Sequence, residues 1–171
     1  MIFSREWAMP NKDTFAIPCI ATFVMKYIAM SKRSVDPFAR NFSWPTATND
    51  INPNTTASYH MDAVEFLYRM SADGERFDLL ILDPPYSPRQ ISECYKEIGR
   101  KVGMTDTQSA VLYRDVKAAA NQILDDDCRV LSFGWSTVGM GKIYGFEIEE
   151  IMLVCHGGAH NDTICMSEIR R

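Results

Sequence analysis

The sequence predicts one α/β domain, residues 1–171, built on an open and mostly parallel sheet flanked by helices and ending in an antiparallel hairpin. Three observations carry that reading. Helical periods alternate with short apolar runs along the chain, the pattern of helices laid on a sheet. The run FDLLILD, Phe77 to Asp83, is apolar without alternation and closed by Pro84-Pro85, as a strand buried on both faces should be. The last two apolar runs are joined by a His/Gly/Asn-rich turn short enough for a hairpin.

Taken in order, Ile17, Ile20, Ala21, Val24 and Ile28 recur at the 3.6-residue period, so Phe15 to Met30 is expected as a helix with one buried face. Ser34 to Phe38 is a short apolar-leaning run ended by a turn. Asn41 to Pro53, rich in Asn, Thr and Pro, is a loop around a brief strand at Ala47 to Asp50. Another strand is expected at Ser58 to Asp62 and a short helix at Ala63 to Met70. After the buried strand at Phe77 to Asp83, Thr105 and Gln108 form a capping box for a helix running to about Leu124. That helix turns Leu112, Val116, Ala119, Ala120 and Ile123 inward, and Asp125-Asp126-Asp127 reads as its solvated end. Arg129 to Trp135, Glu147 to His156 and Thr163 to Ile169 are the remaining strands. No repeat, low-complexity tract or linker divides the chain.

Bulk properties bound the function. With 46% hydrophobic and 23% charged residues, the chain has an ordinary globular composition. Five cysteines form no Cys-x-x-Cys pair, which fits reduced thiols in a cytosolic protein. The most apolar stretch, Thr14 to Met30, is interrupted by Pro18 and Lys26 and too short to span a bilayer, and no signal pattern is seen, so no membrane partner is expected. Net charge is −4, yet residues 1–33 carry five basic and two acidic side chains and residues 84–104 carry four and two, whereas residues 34–83 carry three and eight. Local basic regions of that kind can meet phosphates on an acidic protein.

The residues that carry chemistry are Asp83-Pro84-Pro85-Tyr86, at the end of the strongest buried strand. Ligands of open α/β sheets bind just beyond the carboxyl ends of strands. Two prolines make a stiff loop that presents carbonyls and donates nothing. A carboxylate beside such carbonyls accepts hydrogen bonds, and the tyrosine adds a flat π-face. An exocyclic amino group on a base fits this surface, with two N–H donors and a ring that stacks. If Asp83 and the Pro84 carbonyl each accept one N–H, the amine nitrogen is drawn toward tetrahedral geometry and freed to attack a methyl sulfonium. Positioning and electrostatics then supply most of the catalysis.

This tetrapeptide resembles the D-P-P-Y signature of amino-group DNA methyltransferases, chiefly the adenine-N6 branch. Other segments resemble the family in order. Lys12 to Pro18 is similar to the N-terminal motif that closes over the cofactor's methionine end, and Asp36-Pro37-Phe38 to the start of the D-P-F-x-G-x-G cofactor loop. Asp50 stands at the acidic position for the ribose and Asp62 at the one near the adenine. Ser132-Phe133-Gly134-Trp135 is similar to the strand end beside the target-base pocket. The resemblance implies a Rossmann-like class I methyltransferase fold with a seven-stranded sheet, S-adenosyl-L-methionine as cofactor, and methyl transfer to adenine N6 in DNA. It implies catalytic residues Asp83, Pro84, Pro85 and Tyr86, and a cofactor site of Thr14, Phe15, Asp36, Pro37, Phe38, Arg40, Asn41, Asp50, Asp62 and Ala63. A cytoplasmic protein of a bacterial or phage-infected cell is expected.

Two departures qualify the resemblance. Ala39-Arg40-Asn41 replaces the cofactor-loop glycines, which let backbone approach a ligand closely, so Arg40 or Asn41 is expected to contact the methionine carboxylate instead. Only some forty residues separate Tyr86 from the strand at Arg129, leaving no element for reading bases in the major groove. Weak or short sequence specificity, or recognition shared across a homodimer, is the consequence. Arg89, Lys96, Arg100, Lys101, Trp135 and Lys142 are the expected nucleic-acid contacts. Cytosine-N4 or RNA adenine methylation, or a catalytically silent nucleic-acid-binding scaffold, are the alternatives. His156 and His160 lie in a Gly-rich turn without further ligands, so no metal is expected.

Overall fold

The computed structural model describes residues 1–85, 88–99, 109–158 and 160–171. In chain order the elements are β1 (Ile2–Trp7), a 3-10 turn (Thr14–Ala16), α1 (Pro18–Met30), β2 (Ser34–Asp36), β3 (Ala47–Thr48), α2 (Ala63–Ala72) and β4 (Phe77–Leu82). Then come α3 (Pro88–Glu97), α4 (Ser109–Asn121), β5 (Leu124–Gly134), a second 3-10 turn (Lys142–Tyr144), β6 (Phe146–Cys155) and β7 (Thr163–Arg170). The seven strands form one sheet in the order β1-β6-β7-β5-β4-β2-β3. Only β7 runs antiparallel to its neighbours, β5 and β6, so the mostly parallel sheet with its closing hairpin is as the sequence predicts.

The central strands of the sheet are buried on both faces. One face packs Leu80, Leu82 and Val130 against Phe66 and Leu67 of α2 and Val116, Ala119 and Ala120 of α4. The other packs Leu79, Ile81, Leu131 and Phe133 against Ile20, Phe23 and Val24 of α1. Asp62 caps α2, its Oδ1 accepting the Val64 and Glu65 N–H groups at 2.9 and 3.4 Å.

The differences from the sequence reading have local causes. The first helix begins at Pro18 rather than Phe15, because a residue before proline avoids the helical region and Ile17 is extended at φ −78°, ψ 118°. The strand expected at Ser58 to Asp62 is reduced to one bridge, Asn49 to Tyr59. Side chains replace the ladder there: the Asn49 amide donates to the Pro37 and Met61 carbonyls and accepts the Met61 N–H. The triple aspartate is not a helix end but the bulged start of β5, with Asp127 at φ 60°. Arg76 pairs with Asp125, and Arg76 and Arg170 both donate to the Leu124 carbonyl, so two guanidinium groups hold this carboxylate-rich bulge in the sheet. The sequence reading assigns no element before Phe15, yet Ile2–Trp7 is a strand along β6. The Thr105–Gln108 box lies outside the described residues.

Strand direction decides which loops can share a site. All six parallel strands end at one edge of the sheet. Residues 135–145 must carry the chain from the end of β5 back to the start of β6, so Lys142 sits at the opposite edge, where the Arg171 N–H meets the Gly145 carbonyl. Among the described residues, no helix is long and apolar enough to cross a membrane.

Candidate active site at the carboxyl edge of the sheet

Asp36, Asp50 and Asp83 follow or close β2, β3 and β4 at the carboxyl edge, around a cleft of about 760 Å³. That volume lies within the usual range for a small-molecule site. Residues 37–46 join β2 to β3 without a helix, so this wall of the cleft is loop held by side chains.

The loop makes the turn that the missing glycines would make. Arg40 adopts the left-handed conformation at φ 50°, and its N–H donates to Asp50 Oδ2 at 3.1 Å. The Ala39 N–H donates to the Asn49 carbonyl and the Phe42 N–H to the Ala39 carbonyl. A left-handed residue with a Cβ costs about 1–2 kcal/mol, which these bonds offset. Asp50 Oδ1 also accepts the Asn52 N–H at 2.8 Å, so this one carboxylate staples two loops.

Asp83 sits on the cleft floor, where the Thr14 side chain bonds to it. Burial pushes its carboxyl up to about 6, against the opposing pull of Thr14 and Arg40. Asp36 is fully buried behind the loop; its Oδ1 accepts the Phe38 N–H at 2.8 Å, while Oδ2 has no partner. Burial first, and then the nearby Asp83 and Asp50, hold the Asp36 carboxyl well above the ordinary carboxylate range. Arg40 Nη2 stands 3.7 Å from Asp13 Oδ1, a weak pair because both side chains are about half exposed.

Most of the expected site residues converge. Thr14, Phe15, Pro37, Phe38, Arg40, Asn41, Asp50, Asp62, Ala63, Asp83, Pro84 and Pro85 all line the cleft, and Asp36 lies just behind it. Tyr86, Arg100 and Lys101 lie outside the described residues. Arg89 is exposed on α3 and paired with Glu93 at 2.8 Å, and Lys96 is exposed on the same helix. Trp135 lines a separate shallow pocket, and Lys142 is at the far edge, so neither reaches this cleft. The sequence reading missed an aromatic wall: Phe15 meets Phe42 at 4.5 Å, Phe42 meets Trp44 at 4.9 Å, and Phe15 leans on core Phe133 at 5.1 Å. Its signal was the F-S-W spacing directly after the cofactor-loop motif.

The cleft favours a cationic ligand with hydroxyl and amino donors. Its lining carries Asp13, Asp50, Asp62, Asp83 and Glu93 against Lys12 and Arg40. The set fits S-adenosylmethionine, whose sulfonium and ammonium would sit among carboxylates, with Asp50 available to the ribose diol, Asp62 to the adenine amine and Lys12 or Arg40 to the carboxylate. Among the described residues no group of three His, Cys, Asp or Glu side chains is placed to hold a metal ion.

No family model and no curated protein matches the chain. Solved structures do. TrmN from Thermus thermophilus superposes with a TM-score of 0.59 at 15% identity, over 91% of this chain and 49% of that one. The SMU.776 protein in complex with SAH gives 0.58 at 10% identity, over 86% and 48%. The N-methyltransferase NodS from Bradyrhizobium japonicum WM9 gives 0.53 at 9% identity, over 87% and 97%. The chain therefore spans about half the length of the first two. The seven-stranded sheet with its antiparallel hairpin has the Rossmann-like fold of the S-adenosylmethionine-dependent methyltransferases.

Proposed function

We propose that the protein transfers a methyl group from S-adenosylmethionine to the exocyclic amino group of a nucleobase, adenine N6 in DNA. The observation that supports this most is the placement of Asp83, on a proline-bounded strand end, in the same cleft as Asp50 and Asp62. The neighbours' own ligand and chemistry, SAH in one and N-methylation in another, agree with it. When bound, the cofactor supplies an electrophilic methyl carbon on a sulfonium. Asp83 and the Pro84 carbonyl accept the two N–H groups of the amine and hold its lone pair out of the ring plane. The Thr14 bond fixes the Asp83 rotamer, and the Phe15–Phe42 wall keeps water from that side of the cleft.

One observation favours a second reading, an unpaired DNA or RNA strand as substrate. The cleft lining is acidic, and the described basic residues Arg89, Lys96 and Lys142 form no shared face that would grip a duplex. An unpaired base also spares the cost of flipping. Methyl transfer to single- and double-stranded DNA and RNA, with nucleoside mass spectrometry of the product, tests both. N6-methyldeoxyadenosine from DNA is the expected product; N6-methyladenosine from RNA would move the assignment to RNA, and no methylated base from any polymer would end it.

Arg40 gives a prediction of its own. Arg40→Gly restores the resembled glycine and relieves the left-handed strain, so the melting temperature should hold or rise. Affinity for S-adenosylhomocysteine should nevertheless fall about tenfold, the loss of one charge-assisted hydrogen bond. Affinity for 5′-methylthioadenosine, which lacks the amino-acid end, should stay unchanged. Calorimetry with both ligands decides it, and equal losses for the two would show that Arg40 only shapes the loop.

A further inference from the structure

The two edges of the sheet differ in what they offer. One is β3, two residues long and extended only by the Asn49–Tyr59 bridge. The other is β1, six residues long and paired in unbroken register with β6. Among the described residues no strand lies on the outer side of β1, so the main-chain N–H and C=O groups that point that way are left for another partner. Natural edges of this length are blunted by lysine, proline or a bulge, and Ile2-Phe3-Ser4-Arg5-Glu6-Trp7 has none of the three. Its arginine is turned back over β6, where Nε donates to Cys155 Sγ at 3.2 Å.

This edge is apolar on both faces and firmly held. Ile2, 58% exposed, shares a face with Glu150, the carboxylate that Tyr27 of α1 reaches. Phe3 at 62% and Trp7 at 66% alternate onto the opposite face. Within the strand only Ser4 is half-buried. The Ala8 N–H carries the ladder one residue on, to the Cys155 carbonyl at 3.1 Å. The His156 ring bridges the Ala8 carbonyl and the Thr163 hydroxyl, each at 2.9 Å, and Asp162 Oδ1 accepts the His156 N–H at 3.1 Å. A strand fixed in this way loses little freedom when it gains a neighbour.

We propose that β1 pairs antiparallel with β1 of a second copy of this chain, about a two-fold axis at Ser4, and joins two seven-stranded sheets into one. An open row of main-chain groups takes a strand. The side chains of β1 suit its own copy. A two-fold axis perpendicular to the sheet sets one residue opposite itself and keeps paired side chains on one face. Centred on Arg5, the pairing opposes like charges, and centred on Phe3, it leaves Glu6 and Trp7 beyond the ladder. Centred on Ser4, it sets two small hydroxyls together. Phe3 then lies opposite Arg5 of the second copy, Ile2 opposite the methylenes of Glu6, and Met1 opposite Trp7, an aromatic–cation and a thioether–aromatic pair among them. Exposed as they are, Phe3 and Trp7 of two copies offer about 500 Å², and Met1, Ile2 and the main chain bring the contact toward the roughly 1,000 Å² of a specific interface. The proposal does not depend on what the cleft methylates. It does fix where the clefts lie: nine strand spacings, about 43 Å, apart and at opposite edges of the joined sheet, so neither copy completes the other's site.

Sedimentation velocity of the 171-residue chain should show a dimer at micromolar concentration. Phe3→Lys sets like charges across the axis twice per dimer and should weaken association at least tenfold. Adding Arg5→Glu turns those pairs into opposite charges and should restore it. Ser4→Cys gives a test that gains a signal. In the Ser4 register the two Cα atoms lie within about 5.5 Å, inside the reach of a disulfide. In a Cys94→Ser chain, which removes the exposed native thiol, oxidised glutathione should take up the two thiol hydrogens and leave a covalent dimer. Glu6→Cys should form none, because its two copies stand about 14 Å apart. S-adenosylhomocysteine calorimetry should give one site per chain with the same affinity in the wild type and in Phe3→Lys, which also shows that the variant folds. A chain that stays monomeric would leave this edge to a strand of a different polypeptide and overturn the proposal. So would a dimer that survives Phe3→Lys and gives no Ser4→Cys bridge.

Discussion

Asp83→Asn is expected to give a protein that is more stable than wild type above pH 6 and nearly unable to transfer a methyl group. The carboxyl lies at about 6 in the folded chain against an ordinary value of 3.8, because burial disfavours its charge. The folded state therefore binds the Asp83 proton more tightly than the unfolded state does. Wild-type stability is highest, as far as this group decides it, below pH 4, and is lost as pH rises from about 3.8 through about 6. An asparagine does not titrate, so the difference in stability opens across that window and reaches up to about 3 kcal/mol above it. In a chain of this size that is a melting-temperature gain of several degrees. Activity should move the other way. The amine needs acceptors, and an Asn amide presents one carbonyl while its NH2 opposes the substrate's own donors. Loss of one well-placed electrostatic partner costs on the order of a hundred- to a thousandfold in kcat. Wild-type activity should itself fall as pH drops through about 6, with the protonation of the same carboxylate. Thermal melts from pH 4 to 8 alongside methyl-transfer assays check both halves. Parallel stability curves for the two proteins, or an active Asn variant, would remove Asp83 from the chemistry.

That site is legible in the sequence because its residues have to be where they are. FDLLILD is buried on both faces whatever surrounds it, and a ligand at its carboxyl end follows from the parallel sheet alone. The helix expected at Ala63 forms there because its N-cap, Asp62, is a local device. The features that the sequence hides depend on contacts between distant segments. β1 has an exposed, mixed composition and is a strand only because β6 offers it an edge. The triple aspartate looks like solvated surface until Arg76 and Arg170 arrive from elsewhere in the chain. Trp135 reads as a cleft residue from its place after a strand, but the side chain turns toward the hairpin face instead. Lys142 looks close to the site in sequence, and the parallel return of the chain to β6 moves it to the far edge. The Ala39-Arg40-Asn41 departure is visible; that Arg40 takes the left-handed turn itself is not, because the bond from its N–H to Asp50 is what holds it there.

The same bond makes Asp50 the residue whose loss should hurt cofactor binding most. Its two oxygens already accept the Arg40 and Asn52 N–H groups, each keeps a second lone pair, and the residue lines the cleft. Two ribose hydroxyls bound there would each contribute about 1.5–3 kcal/mol. Asp50→Ala removes both and also frees Arg40 from its staple, so the left-handed turn relaxes and the loop leaves the cleft wall. Affinity for S-adenosylhomocysteine should drop at least about a hundredfold, the product of two such bonds at their lower bound. Asp50→Asn separates the two roles. Its Oδ1 can still accept one loop N–H, while its NH2 cannot accept a hydroxyl, so the loop should hold and affinity should fall by an intermediate factor. Adenine, which carries no ribose, should lose little of its weak binding in the Asn variant. Calorimetry with S-adenosylhomocysteine and with adenine measures each part. Full nucleoside affinity in both variants would mean that the ribose lies elsewhere, and that this carboxylate serves the loop alone.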